Sequence, residues 1–157
     1  MKLGVALPFI DIAVGGDPAA IREFAQTAEE IGYQDLAAPD HVLGVNVASR
    51  PDWGDGWMPL NYAPGDEAVA AFDKLRAMAE AAGRDPASIG FDTRTTVGIG
   101  AEAEWRETVR FWKSCGVTHL TLGTYSGRGH LRRIDGRTLA DHLAAIKRYW
   151  NAVADLL

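Results

Sequence analysis

Two stretches, Ile31-Gly32-Tyr33-Gln34-Asp35-Leu36 and Cys115-Gly116-Val117-Thr118-His119-Leu120, are near-copies: each sets a helix-ending glycine four residues before a strand leucine. This internal βα repeat constrains the fold more than any other feature. Strands that follow one another through helices run parallel, and a parallel sheet needs helices on its faces. The class is therefore α/β, of barrel or doubly wound type.

The alternation extends along most of the chain. Met1 to Leu7 is an apolar run cut at Pro8, without the small-residue cleavage pattern of a signal peptide, and reads as a buried strand. Asp17-Pro18 starts a helix, because the carboxylate caps free N–H groups and proline suits the first turn. Ile21, Phe24, Ala25, Ala28 and Ile31 form its stripe, Gly32 stops it, and Leu36 to Ala38 is expected as a short buried strand. Asp66 opens a second helix with Ala68, Phe72, Leu75, Ala79 and Ala82 on one face and Gly83 at its end, before a strand over Ile89 to Thr95. Ala101 to Ser114 is a third, with Trp105, Val109 and Trp112 inward. Val117 to Leu122 is a strand, and Arg137 to about Leu156 a last helix.

The segment from Val42 to Pro64 breaks this grammar. It is rich in glycine, proline and aromatic residues and has no helical period; Gly56-Trp57-Met58-Pro59 alone suggests a very short strand. Between Asp40 and Gly54 there is no crossover helix, and so little chain cannot join two parallel strands.

Several segments together resemble the luciferase-like monooxygenase family, in its flavin- and deazaflavin-dependent branch. The opening strand and helix, then Ala38-Pro39-Asp40-His41-Val42-Leu43-Gly44, are similar to the family's first two βα units. Asp55-Gly56-Trp57-Met58-Pro59, Gly65-Asp66-Glu67-Ala68, Ala82-Gly83-Arg84-Asp85-Pro86 and Gly116-Val117-Thr118-His119-Leu120 resemble its last three. A full (β/α)8 barrel takes roughly 250 residues, and this chain has 157. Against the family, the third, fourth and fifth units are missing, with an apparent internal deletion near Trp53-Gly54 in a single domain over residues 1–157. A natural deletion, an engineered one and the joining of two pieces of a longer protein all fit this pattern.

The resemblance implies a partial barrel of about five parallel strands, the sixth, seventh, eighth, first and second, which are neighbours in a closed barrel. Such an arc leaves edges near Leu36 and Trp57 open for pairing, so self-association into a homo-oligomer is expected.

The resemblance also implies an oxidoreductase that moves hydride between reduced coenzyme F420, or alternatively FMN, and a small organic substrate. Asp40 and His41, after the second strand, stand where barrel enzymes place catalytic groups, and imidazole suits proton transfer near neutral pH. The other reading makes Asp40 a loop cap and His41 a packing residue. Candidate cofactor contacts are Trp57 and Met58, which core packing would also explain, with Gly98 and Gly100 before the third helix and Gly123 and Arg128 after the last strand. Small turns let backbone N–H groups face an anion, and arginine adds a bidentate partner.

The remaining signals are exclusions. A net charge of −5 gives no attraction for nucleic acid or anionic lipid, and no apolar run is long enough to span a membrane. The single cysteine, Cys115, excludes a disulfide framework and fits a reducing cytoplasm; it reads as a small apolar filler. His119 is expected in the core, and His130 and His142 lack metal-ligand spacing. Arg132-Arg133 reads as a solvated loop. No GxSxG elbow, P-loop or dinucleotide fingerprint is present. Two rivals remain: a non-catalytic oligomeric half-barrel of the same family and, last, a metal-dependent sugar isomerase, for which only Asp40 and Asp92 fall near strand ends.

Overall fold

Glycine and aspartate set the element boundaries. In the computed structural model, which describes residues 1–8, 11, 17–38, 56–58, 62–125, 127 and 129–157, the Asp17 carboxylate accepts from Ala19 N at 2.8 Å and opens helix α1 (Pro18–Ile31). Gly32, at φ 119°, ends it. Strands β1 (Lys2–Ala6), β2 (Asp35–Ala37), β3 (Gly56–Trp57), β4 (Gly90–Thr96) and β5 (His119–Gly123) alternate with α2 (Asp66–Ala81), α3 (Glu102–Ser114) and α4 (Leu139–Val153) where helices are described. These bounds lie within a residue or two of the expected ones. The last helix is trimmed to start after its cap Thr138 and ends in a 3-10 turn, Ala154–Leu156.

All pairings are parallel and the strand order is β2-β1-β5-β4-β3. That is the order of the second, first, eighth, seventh and sixth strands of a barrel, so the fold is an α/β arc of (β/α)8 type. Register explains its two faces. Leu3, Leu120 and Thr93 lie abreast, as do Val5, Leu122 and Thr95, and all are buried toward the helices. The alternate positions, Lys2 with His119 and Asp92 and then Gly4 with Thr121 and Arg94, form the other, concave face.

Helix contacts fix the outer layer. Phe72 of α2 stacks on Phe91 of β4 at 4.8 Å and tilts against Trp112 of α3 at 5.9 Å. Arg106 of α3 makes a bidentate pair with Asp155 and also donates to Ala152 O, tying α3 to the end of α4. Tyr33 packs on Trp150 and donates to Ile146 O at 2.8 Å, which binds the α1–β2 junction to α4. Burial raises the Tyr33 phenol far above its ordinary value.

Two expectations need correction. β2 is not buried: Leu36 is 45% exposed, because β2 is an edge strand and no described element covers its helix-side face. His119 is not in the core either; it lies on the concave face, 41% exposed, with Nδ1 sharing a hydrogen bond with Thr118 Oγ1 at 2.9 Å.

Candidate functional site at the strand C-termini

Because every strand runs the same way, the C-terminal ends of β1, β4 and β5 form one rim, where α/β barrels place their sites. Two loops are laced together there. Thr96 Oγ1, at the end of β4, donates to Arg132 O and accepts from Gly98 N at 3.0 Å. Ile134 N donates to Thr124 O and closes the turn that follows β5.

Glycine is required at this lacing. A Cβ at Gly98 would lie 2.1 Å from Arg132 O and 2.4 Å from Arg133 O, and one at Gly127 would lie 2.1 Å from Leu131 O. Gly100, at φ 79°, makes the left-handed turn into α3. The Ala101 N–H that follows donates to the Glu104 carboxylate at 2.6 Å. The amides of Gly98 and Ala101 are therefore engaged within the chain. Gly123 differs: a Cβ there would meet only Thr95 O, at 3.6 Å.

Beneath the rim lies a buried polar cluster that the sequence did not suggest. Asp11, after β1, accepts from Arg133 Nη2 at 2.8 Å, and the same oxygen lies 3.3 Å from His142 Nε2, without hydrogen-bond alignment. The other ring nitrogen, Nδ1, shares a hydrogen bond with Thr124 Oγ1 at 2.9 Å. His142 is fully buried, and desolvation holds its pKa below the ordinary histidine value even with the Asp11 carboxylate beside it. Asp11 and His142 are enclosed and Arg133 is partly exposed, and the three anchor the rim. Arg133 is thus an ion-pair partner, whereas its neighbour Arg132 is exposed as expected. Arg133 and Asp11 stand 122 residues apart, and no local spacing connects them.

On the concave face, Asp92 accepts from Thr121 Oγ1 at 3.1 Å, and burial raises its carboxyl above the usual range. His119 Nε2 lies 4.0 Å from Asp35 Oδ2. Among the described residues no three His, Cys, Asp or Glu side chains converge as a metal site would require. Cys115 is half-buried, and burial raises its thiol pKa.

Of the residues singled out from sequence, Gly98, Gly100 and Gly123 meet at the rim. Met58 is 47% exposed just after β3, so it is not core. For Trp57 only the strand position is described. Asp40, His41, Arg128 and the apparent join at Trp53-Gly54 lie outside the described residues. Among the described residues no helix is long and apolar enough to cross a membrane.

No curated protein and no solved structure matches the chain. A family model does: luciferase-like monooxygenase, over residues 44–157. The match spans β3 to α4, and β1 joins β5 where the first strand of such a barrel meets the last. With well over half of its length matched and its strands in barrel order, the chain belongs to the luciferase-like monooxygenase family.

Proposed function

We propose that this oxidoreductase-family chain carries the site of a hydride-transfer enzyme, acting between reduced coenzyme F420, or in the alternative FMN, and a small organic substrate. The observation that carries the reading is strand polarity. Ala37, which ends β2 three residues before Asp40, and Gly123, which ends β5, belong to strands pointing at one rim.

The residues there suit one edge of a flat tricyclic ring. Gly123 presents no side chain and has room above it, while Met58, which follows the Trp57–Phe91 pair near the start of β4, offers exposed apolar surface farther down the sheet. Trp57 would add to that wall and Arg128 would hold a phosphate end. Gly98 and Gly100 shape the adjoining turn, since the nearby amides are engaged. The cavity between the end of β4 and α3 measures about 270 Å³ and is lined by neither Gly123 nor Met58; it is below the roughly 300–1,000 Å³ usual for cofactor-sized ligands. The described residues thus supply part of the enclosure. When bound, the reduced coenzyme would supply the hydride. His41 would move a proton to or from the substrate, with Asp40, its neighbour in sequence, as the second catalytic candidate.

A second reading, a non-catalytic oligomeric remnant, draws on the exposed Leu36 edge and the small cavity. One experiment separates the two. The purified chain is weighed by light scattering and titrated with coenzyme F420 and with FMN by fluorescence. Micromolar binding, with turnover lost and binding kept in His41→Ala, supports the enzyme. A folded oligomer that binds neither cofactor overturns it in favour of the remnant.

A further inference from the structure

Three buried side-chain nitrogens find no hydrogen-bond partner among the described residues: Arg94 Nε, Trp112 Nε1 and His142 Nε2. The last differs from the other two, because a charged acceptor, Asp11 Oδ2, lies 3.3 Å from it. That oxygen already accepts from Arg133 Nη2 at 2.8 Å. One carboxylate oxygen thus stands between an imidazole and a guanidinium, and the guanidinium holds it. The far side of the ring is fixed, since Nδ1 shares a hydrogen bond with Thr124 Oγ1 at 2.9 Å. His142 therefore meets the loop after β5 at both of its ends, directly at Thr124 and through Asp11 at Arg133. Arg133 Nε also donates to Ile134 O at 3.2 Å, and the neighbouring Arg132 O accepts from Thr96 Oγ1, so the far end of the loop carries the lacing to β4.

Charge makes this arrangement sensitive to the ring's proton. With His142 neutral, Asp11 and Arg133 balance each other. Protonation sets a second cation against the same buried carboxylate, at the N-terminal end of α4, where the helix dipole also opposes positive charge. Asp141, the other charged neighbour, is committed to the helix cap, accepting from Thr138 N and Thr138 Oγ1. Two cations that share one enclosed carboxylate repel each other, and relief comes when the one able to reach water leaves. Arg133 is partly exposed, whereas His142 and Asp11 are buried. The Thr124 hydroxyl can accept from a protonated ring as well as donate to a neutral one, so that bond survives.

We propose that His142 is a pH-sensitive catch on this loop: neutral, it leaves Asp11 to Arg133 and the far end is docked; protonated, it takes Asp11 Oδ2 and releases Arg133 to solvent, while the near end stays pinned at Thr124. Burial disfavours the charged ring and so sets the release on the acid side of histidine's ordinary range. The device goes beyond the cofactor reading and is tested without cofactor. In ¹⁵N-labelled protein the His142 ring is titrated through its nitrogen shifts, and the mobility of Arg133 is followed by ¹⁵N relaxation of its Nε–H, over the range in which circular dichroism shows the native fold. Arg133 is expected to be held at about pH 7 and to lose roughly half or more of its order in step with protonation of His142. In His142→Gln, whose side chain does not titrate, Arg133 should stay held throughout. An Arg133 still held once His142 is protonated, a release whose midpoint departs from that of His142, a release that persists in His142→Gln, or a ring still neutral when the fold is lost overturns the proposal. Should His142→Gln not fold, the coincidence of the two midpoints in the parent decides it.

Discussion

Replacing Gly98 with alanine tests whether the rim is held by backbone contact. The residue is not among the positive-φ glycines, so alanine meets no conformational penalty there and any cost comes from the added carbon. That carbon would sit 2.1 to 2.5 Å from the backbone of Arg132 and Arg133. Backbone atoms cannot rotate aside, so the whole turn must retreat by more than an ångström to reach ordinary contact. The retreat strains the packing, at roughly 1–3 kcal/mol, and breaks the bond from Thr96 Oγ1 to Arg132 O, at about 1 kcal/mol. The expected loss is therefore about 2–4 kcal/mol, or about 4–16 °C in Tm for a domain of this size. Urea and thermal unfolding followed by circular dichroism measure it. Gly123→Ala is the control, since its Cβ would meet Thr95 O at an ordinary 3.6 Å, and should stay within about 0.5 kcal/mol of the parent. A Gly98→Ala protein as stable as the control would refute the claim that the two loops are laced in contact.

Two further glycines separate strain from crowding. Gly83→Ala has φ 73° and nothing within 4 Å, so it should cost only the strain of about 1–2 kcal/mol. Gly32→Ala has φ 119° and would also drive a Cβ to 2.7 Å from the Trp150 ring, adding roughly 1–3 kcal/mol; equal costs in urea titrations would disprove that contact. Acid should weaken the fold through His142. Burial lowers its folded pKa, while the unfolded chain binds its proton near about pH 6.5, so below that pH the unfolded state holds more protons and stability falls. The contribution is unaffected above about pH 6.5 and declines by at most about 1.4 kcal/mol per pH unit below it. His130, also lowered by burial, acts in the same direction. Urea midpoints at about pH 7.5 and 5.5 that do not drop would contradict this, and His142→Gln should flatten the slope. Tyr33→Phe removes the bond to Ile146 O and should lose about 1 kcal/mol in the same assay.

Much of the arc was legible in sequence because its signals are local. A helix stop such as Gly32 needs only the residues around it, and Trp105, Val109 and Trp112 declare a buried face by spacing alone. Strand order became readable once the units were placed in family order. The misreadings arose where the answer depended on distant chain. Leu36 has the composition of a buried strand but occupies an edge. His119 has apolar neighbours in sequence, yet its register beside Lys2 and Asp92 puts it on the concave face. The Asp11, Arg133 and His142 cluster joins three separate segments, and the orphaned donors of Arg94 and Trp112 emerge only when β4 and α3 are packed.

These distant contacts also define what the first βα units do. The family match begins at residue 44, after β1, α1 and β2. Yet β1 lies between β2 and β5, and Lys2 through Val5 pair with His119 through Leu122. In a closed barrel this contact would be the seam between the first and last strands; here it runs through the interior of the sheet. Leu3 and Val5 lie beside Leu120 and Leu122, Tyr33 reaches Ile146 O, and Asp11 holds Arg133 next to His142. Without the opening segment, the inner edge of β5 would be bare, the Tyr33 bond to α4 lost, and Arg133 deprived of its carboxylate. A newly bared strand edge is a liability, and buried polar groups left without partners are costly. Strands β1 and β2 are thus an integral part of the sheet rather than an appendage, and the rim that carries the proposed chemistry is built from both ends of the chain.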